Sequence, residues 1–182
     1  MSAFTRHTLS IGLSALLLAT TAQAELSKGA PASDFSTEAS LGGKRFQYSL
    51  NEALQHGPVV LYFYPAAFTS GCTVEAHLFA EATDKFKALG ATVIGVSGDD
   101  IEKLQRFSVS ECRSKFPVAA DKDRKIMKAY DAVMIPGTSY ASRVSYVITP
   151  DHKVWYSYNA MAPDQHVSNT LKALEAWKAA GH

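Results

Sequence analysis

Two largely apolar runs, at residues 59–64 and 91–96, limit how this chain can fold more than any other feature of its sequence. The first run is rich in β-branched and aromatic residues without polar alternation, which is typical of a strand buried on both faces. Between the runs, apolar residues recur at helical spacing as far as Gly90, which favours the end of a helix. This order of strand, helix and strand predicts a parallel pair of buried strands.

The second half of the chain predicts a different kind of pairing. Asp99 or Asp100 can cap a helix whose apolar stripe begins at Ile101, and the turn residues 150–153 separate two runs that read as a hairpin. The other predicted elements are strands or extended segments at 46–50, 116–119, 144–149 and 154–158, a short helix at 124–130, and a closing helix marked by Val167, Leu171, Leu174 and Trp177. Early parallel pairing followed by a hairpin predicts an α/β fold in which helices flank a mixed central sheet, the thioredoxin-like arrangement.

Composition excludes several classes of protein. The chain has 182 residues, of which 47% are apolar and 19% are charged, so it is expected to form one globular domain. Its 18 basic and 17 acidic side chains give a net charge of +1, which offers no electrostatic case for binding nucleic acid or an anionic membrane surface. No apolar run reaches the roughly 20 residues that span a bilayer.

The N-terminus has the pattern of an export signal. A basic start precedes an apolar run at 11–19 and an Ala-x-Ala ending at Ala24. This pattern predicts a signal peptide at 1–24 that is cleaved to leave one domain at 25–182, located in the periplasm or secreted. Within that domain, only residues 25–33 are expected to be loose.

Cys72 stands where a buried strand has ended, a loop has followed and the predicted helix has just begun. Amides at a helix start lack intrahelical partners and the helix dipole is positive there, so a thiolate is favoured over a thiol. Thr69 is near enough for its hydroxyl to join the same pocket, and Pro65 holds the loop and shields the site from water. The alternative is a buried cysteine that acts as a small apolar residue.

The segment Pro65-x-x-x-Thr69-x-x-Cys72 matches the peroxiredoxin signature at all three fixed positions. The flanking residues 61–65 and 71–76 resemble the peroxiredoxin Q, or bacterioferritin comigratory protein, branch of the AhpC/TSA superfamily. The resemblance covers most of the chain that follows the predicted signal peptide, because it continues through 93–97, 116–118 and 143–151.

This resemblance implies a thiol peroxidase that needs no metal, haem or flavin. Cys72 would be the peroxidatic residue, whose thiolate attacks hydrogen peroxide or an organic hydroperoxide and becomes a sulfenic acid. Thr69 would hydrogen-bond the peroxide, Pro65 would pack over the thiolate, and Arg143, which matches an arginine at the start of a late strand, would lie beside the sulfur. A guanidinium fork can donate to both thiolate and peroxide. Glu75 would brace an arginine or stabilise the helix start.

Cys112 has two interpretations. It lies at the far end of the helical stripe that begins at Ile101, where it could be a core cysteine. The resemblance instead implies a resolving cysteine, which forms a Cys72–Cys112 disulfide that a thioredoxin-like dithiol protein reduces. Many relatives resolve with a cysteine five residues after the peroxidatic one, but His77 occupies that position here, and others use the next helix. An exported chain with one spare cysteine favours pairing.

Three other functions fit these residues less well. A thiol–disulfide oxidoreductase would need a Cys-x-x-Cys pair, but Glu75 and Thr69 occupy the positions three residues after and before Cys72. A metal- or haem-handling protein would need clustered ligands, yet His77 lies off the helix face of Cys72 and the other histidines are scattered. A binding protein that had lost the activity is not expected to keep the whole motif.

The partners expected for the thiol peroxidase are a peroxide and a thioredoxin-like dithiol protein. The chain is expected to be a monomer or a weak homodimer.

Overall fold

The computed structural model describes residues 25–181, so the predicted signal peptide at 1–24 lies outside the described residues. Within 25–181, no helix is long and apolar enough to cross a membrane. The strands of this region are β1 (Ser36–Leu41), β2 (Lys44–Ser49), β3 (Val59–Phe63), β4 (Thr92–Ser97), β5 (Val118–Ala120), β6 (Val144–Thr149) and β7 (Lys153–Asn159). Its helices are α1 (Leu50–Leu54), α2 (Ser70–Ala88), α3 (Ile101–Ser110), α4 (Lys125–Ala129) and α5 (Asp164–Ala179).

The strands of the described region form one sheet in the order β2-β1-β5-β4-β3-β6-β7. β3 is parallel to β4 and antiparallel to β6, so the two modes of pairing meet at this strand. β4 pairs with β5 in parallel, and β6 and β7 form the expected antiparallel hairpin. The prediction of an α/β fold with a mixed central sheet flanked by helices is therefore confirmed.

Both faces of the sheet are covered, because successive side chains of a strand point to opposite sides. Val60 and Tyr62 of β3 join the core that packs against α2, α3 and α5, whereas Leu61 and Phe63 join the core beside α1 and α4. Every residue of β3 is buried, as its apolar run predicted, and every residue of β6 is buried as well. Both cysteines lie in the core on the α2, α3 and α5 side, which is where the candidate site lies.

Two elements of the structure were not predicted. β1 has the polar sequence STEASL, and it forms because β2 and β5 pair with it on both sides rather than through an apolar pattern of its own. α1 has five residues and begins at Leu50, where the Ser49 hydroxyl accepts the Glu52 N–H as a cap. The strand predicted at 46–50 is β2, which ends at this cap.

The prediction that residues 25–33 are loose was wrong. The Gly29 N–H donates to the Val154 carbonyl at 2.7 Å, and the Val154 N–H donates to the Ala30 carbonyl at 2.9 Å. The Ala32 N–H also donates to the His152 carbonyl at 2.9 Å. This segment is held because the edge strand β7 carries backbone groups that need partners.

Candidate active site

The loop that joins β3 to α2 is held by contacts from the α3 side of the molecule. The Ala67 N–H donates to the Asp99 carboxylate at 2.7 Å, which ties this loop to the residues that precede α3. Phe68 has a φ of 68°, a left-handed conformation that is uncommon for a bulky side chain, and its ring packs edge-on against Phe107. These contacts fix the backbone that leads to Thr69, the residue before α2.

Thr69 is the N-cap residue of α2, and Cys72 is the third residue of the helix, in the first turn as predicted. The Thr69 hydroxyl donates to the Ala66 carbonyl at 3.0 Å and makes no side-chain cap bond. The Thr73 N–H donates to the Thr69 carbonyl, which is the first hydrogen bond of the helix. The N–H groups of the helix residues before Thr73 have no intrahelical acceptor and can donate to a ligand. Cys72 therefore lies at the positive end of the helix dipole.

Arg143 precedes β6 and directs its guanidinium at the start of α2. Its Nη2 donates to Cys72 Sγ at 3.4 Å, its Nη1 donates to the Glu75 carboxylate, and its Nε donates to the Met161 carbonyl at 2.9 Å. The Arg143 side chain is 3% exposed and Cys72 is 1% exposed. Because all three guanidinium nitrogens have partners, the position of this charge beside the sulfur is well defined.

Gly71 makes room for this arginine. A Cβ atom at Gly71 would lie 3.1 Å from Nη2 of Arg143, closer than ordinary van der Waals contact. The guanidinium is bonded on every side, so it has little freedom to retreat. Sequence reasoning treated Gly71 only as part of a motif, and its steric role follows from the approach of a side chain that is distant in the sequence.

Glu75 lies one turn after Cys72 and is fully buried. Burial raises the pKa of Glu75 to about 8, although the charge of Arg143 and its hydrogen bond act in the opposite direction. One carboxylate oxygen accepts from Arg143, while the other, Oε1, has no hydrogen-bond partner and lies 3.7 Å from Nδ1 of His166. The brace between Glu75 and an arginine is therefore present, as expected.

His166 of α5 completes the buried group, and sequence reasoning missed it. Its ring nitrogens lie 2.8 Å from the Ser145 hydroxyl and 2.9 Å from the Ala160 carbonyl. Burial lowers the pKa of His166 to about 4, so the ring is neutral at neutral pH. Because a carbonyl only accepts, Nε2 carries the hydrogen and Nδ1 accepts from Ser145. The available signal was its spacing with Thr170 and Leu174 along the buried stripe of α5.

Cys112 lies two residues beyond α3 and is fully buried. Its N–H donates to the Phe107 carbonyl at 3.1 Å. Burial, reinforced by the nearby charge of Glu111, raises the pKa of the Cys112 thiol well above its usual range. Cys112 and Cys72 are both free thiols in the structure.

The structure brings some of the predicted site residues together and leaves others apart. Arg143 contacts Cys72, while Thr69 and the partly exposed Pro65 belong to the loop and cap that lead to it. Cys112 belongs to the same core but is not bonded to Cys72. His77 pairs with a carboxylate after α3, at 3.0 Å from Glu111. Among residues 25–181, no group of three or more His, Cys, Asp or Glu side chains is placed to hold a metal ion.

A mixed sheet of this topology, with a cysteine at the start of the helix after its central strand and a buried arginine against the sulfur, defines a thioredoxin-fold protein with a thiol-based site. The family profile described as "AhpC/TSA family" matches residues 28–157. The chain belongs to the AhpC/TSA family, and the resemblance found in the motif around Cys72 is confirmed.

Curated relatives are similar over the central part of the chain. Putative chloroplastic peroxiredoxin Q of Oryza sativa subsp. indica is 37% identical over 120 residues, which cover 65% of this chain and 55% of that protein. Chloroplastic peroxiredoxin Q of Triticum aestivum is 37% identical over 119 residues, covering 65% and 54%. The chain therefore spans little more than half the length of the curated relatives it matches.

Solved structures agree with the fold. Peroxidoxin BcpB of Mycobacterium tuberculosis is 29% identical, with a TM-score of 0.75 over 82% of this chain and 96% of that chain. A PrxQ mutant of Xylella fastidiosa is 23% identical, with a TM-score of 0.75 over 85% and 99%. The thioredoxin-like arrangement predicted from the sequence is confirmed.

Proposed function

We propose that this protein is a thiol peroxidase in which Cys72 reduces hydrogen peroxide or an organic hydroperoxide. One observation carries the proposal: Nη2 of Arg143 lies 3.4 Å from Cys72 Sγ, at the N-terminus of α2. A cation and a helix dipole at the same sulfur stabilise its thiolate, which is the nucleophilic form. Membership of the AhpC/TSA family and the peroxiredoxin names of its relatives support this assignment.

In the first step, the thiolate of Cys72 attacks the terminal oxygen of the peroxide. An S–O bond forms, the O–O bond breaks, and the leaving oxygen departs with the electron pair and takes up a proton to become water or an alcohol. Arg143 and the free amides at the start of α2 donate to the peroxide oxygens and stabilise the charge that develops on the leaving oxygen. Because the Thr69 hydroxyl already donates to Ala66, it has a lone pair to accept the peroxide proton.

In the second step, the thiol of Cys112 attacks the sulfur of the Cys72 sulfenic acid. The products are a disulfide and water, so no external oxidant is required. A disulfide needs Cα atoms within about 7 Å of each other. Both cysteines are buried free thiols, and the Cys112 N–H is bonded to the Phe107 carbonyl, so we infer that the first turn of α2, the turn after α3, or both unwind before the bond forms.

The remaining steps follow from the same chemistry. A thioredoxin-like dithiol protein would supply the two electrons that return both cysteines to thiols. We further propose that residues 1–24 are removed on export and that residues 25–182 act as one domain in the periplasm or outside the cell, as a monomer or weak homodimer. Pro65 would keep water from the thiolate during the reaction.

The test uses peroxide with the wild-type protein, Cys72→Ser and Cys112→Ser. Wild type and Cys112→Ser should consume one peroxide equivalent far faster than a free thiol does, and Cys72→Ser should not. Mass mapping without reductant should then show a Cys72–Cys112 disulfide in the wild type and a trappable sulfenic acid in Cys112→Ser. A wild-type rate equal to that of a simple thiol would refute the peroxidase assignment.

A further inference from the structure

His166 is a fully buried titratable group that takes no part in the chemistry proposed above. It lies in the first turn of α5, and its polar contacts are with Ser145, Ala160 and Glu75. Both ring nitrogens are engaged, with the Ala160 carbonyl on one side and the Ser145 hydroxyl on the other. Burying a polar ring in an apolar core costs free energy unless its nitrogen atoms form hydrogen bonds. The partners of these hydrogen bonds therefore indicate what the ring does.

The first set of contacts leads to Arg143 through the segment between β7 and α5. His166 Nε2 donates to the Ala160 carbonyl at 2.9 Å, and the Ala160 N–H donates to the Arg143 carbonyl at 3.2 Å. The next residue, Met161, presents the carbonyl that accepts from Arg143 Nε at 2.9 Å. The Met161 side chain is 57% exposed, so its own packing does little to fix this backbone. The imidazole therefore anchors the segment that orients the guanidinium.

The second set of contacts leads to Arg143 through Glu75. The Nδ1 atom of His166 lies 3.7 Å from Oε1 of Glu75, the carboxylate oxygen that has no hydrogen-bond partner. The other oxygen of Glu75 accepts from Nη1 of Arg143. The ring thus lies against the free edge of the carboxylate and limits how it can rotate, which in turn fixes the second arm of the guanidinium.

We propose that His166 is a positioning residue for Arg143, holding the guanidinium against Cys72 Sγ through the Ala160–Met161 backbone and through Glu75. This inference rests on the proposed function, because it assigns a role to His166 only if the contact between Arg143 and Cys72 serves the reaction. His166 itself touches neither the sulfur nor the peroxide.

The charges around His166 are consistent with this role. Burial lowers its pKa to about 4, the Arg143 charge acts in the same direction, and Asp164 of the same helix acts against it. Glu75 faces the ring from α2, and the ring of Tyr158 packs edge-on against it from β7. The imidazole therefore remains neutral across the physiological range, and the site keeps a single fixed cation in Arg143.

Three substitutions separate the two sets of contacts. In His166→Gln, the side-chain amide can reach the position of Nε2 and donate to Ala160. In His166→Asn, the shorter amide reaches only the position of Nδ1, near Ser145 and Glu75. His166→Phe removes both contacts while it retains a planar ring. The matched control is His56→Gln, since His56 is exposed and follows α1 on the other side of the sheet.

The measurement is the rate of the first oxidation by hydrogen peroxide as a function of pH, made in the Cys112→Ser protein so that no disulfide forms. His166→Phe should lower the rate roughly ten- to a hundredfold, the loss expected when a catalytic group is displaced by about 1 Å. It should also move the rising limb of the pH profile upward, because the Cys72 thiolate loses part of its cationic partner. A merely structural role would lower stability without moving that limb.

The outcomes are distinct. If His166→Gln keeps the wild-type profile and His166→Asn loses rate, the Ala160 contact carries the positioning; the reverse assigns it to the Glu75 side. Should His166→Phe fail to fold, the Gln and Asn variants decide by themselves. Wild-type rates and profiles in His166→Phe, or in both amide variants where His166→Phe does not fold, overturn the proposal. If the parent Cys112→Ser protein reacts no faster than a simple thiol, the proposed function fails instead.

Discussion

Cys72 and Cys112 are about equally buried, at 1% and 0% exposure, yet they lie in opposite electrostatic surroundings. Cys72 lies in the first turn of the 19-residue helix α2, against the guanidinium of Arg143. Cys112 follows the C-terminal end of the ten-residue helix α3, next to the carboxylate of Glu111. The start of a helix favours an anion and its end disfavours one.

This contrast teaches that burial by itself does not decide which sulfur is the nucleophile. Burial destabilises any thiolate, and only Cys72 has a charge partner and a helix start that offset the loss of solvation. At Cys112, burial and a nearby carboxylate both raise the pKa of the thiol. In the cycle proposed above, the sulfur of Cys72 would be ready to react, and that of Cys112 would stay inert until its turn opens.

The largest expected effect comes from removing the charge that distinguishes the two cysteines. Arg143→Met should lower the rate of the first oxidation on the order of a hundred- to a thousandfold, because a preorganised donor to both sulfur and peroxide is lost. Arg143→Lys should recover only part of the rate, since an ammonium cannot make the three bonds of the guanidinium. The check is stopped-flow oxidation by peroxide, with Arg106→Met, on the exposed face of α3, as the control. Equal rates in Arg143→Met and wild type would show that the charge of Arg143 is not what makes Cys72 more reactive than Cys112.

The second prediction concerns the buried carboxyl of the Cys72 region. The pKa of Glu75 is raised to about 8 in the folded protein from 4.5, so Glu75 keeps a proton that the unfolded chain releases in this window. The contribution of Glu75 to stability therefore falls as pH rises from 4.5 towards 8, and is level above that. Glu75→Gln should remove this slope, which amounts to a few kcal/mol at most, on the order set by the pKa shift.

This slope can be measured by urea unfolding of both proteins at pH 5 and pH 8. Glu175→Gln serves as the control, because Glu175 is an exposed carboxyl on α5. An identical dependence on pH in wild type and Glu75→Gln would show that Arg143 keeps Glu75 ionised in the folded protein.

The third prediction tests how closely Arg143 must approach Cys72. Gly71→Ala places a methyl group 3.1 Å from Nη2 of Arg143, so the guanidinium must move away from the sulfur. We expect the oxidation rate to fall about tenfold, less than when Arg143 is removed, since the charge remains nearby. Ser70→Ala, at the exposed first position of the same helix, is the control. An unchanged rate in Gly71→Ala would mean that the contact seen here is not required.

The sequence predicted the centre of the fold because its strands depend on local composition. The apolar runs at 59–64 and 91–96 are buried on both faces, so their residues alone mark them as strands. β1 could not be recognised in this way, because half of its residues are exposed and it depends on pairing with neighbours. The N-terminal segment was misjudged for the same reason, since it is held by the edge of β7.

The residues of the site also differ in how far the sequence alone could predict them. Cys72 was placed correctly by a local pattern, a loop followed by a helix start, and Arg143 was brought beside it by a resemblance to known sequences. Gly71 lies against Arg143, which is 72 residues away in the sequence, and His166 is linked to Arg143 only through Glu75 and the Ala160–Met161 backbone. No spacing rule encodes this geometry. Residues that position a reactive group without contacting the substrate have no recognisable sequence motif, so a structure is needed to find them.

The smallest expected effect belongs to the Cys112 region, where the turn after α3 is held against α2 by one Arg–Glu ion pair and one His–Glu contact, which is an ion pair only when the histidine is protonated. His77 contacts Glu111 at 3.0 Å, and Glu81, one turn further along α2, contacts Arg113 at 3.1 Å. The two pairs flank Cys112, and Arg113 adopts a left-handed φ of 50°. The side chain at position 77 therefore contacts the turn that carries Cys112.

Opening of this turn can be measured without any peroxide chemistry, as the rate at which iodoacetamide alkylates Cys112 in the Cys72→Ser protein. Glu111→Gln and Glu81→Gln should each accelerate alkylation about two- to fivefold, the range expected for partly exposed ion pairs. Lys125→Gln, which breaks an exposed pair on α4, should have no effect. Added salt should accelerate the parent protein but not a variant that lacks both pairs, since screening acts only on charges that are present. If alkylation is as fast in the parent as in the variants, these charges do not hold the turn. The low reactivity of Cys112 would then be due to burial alone.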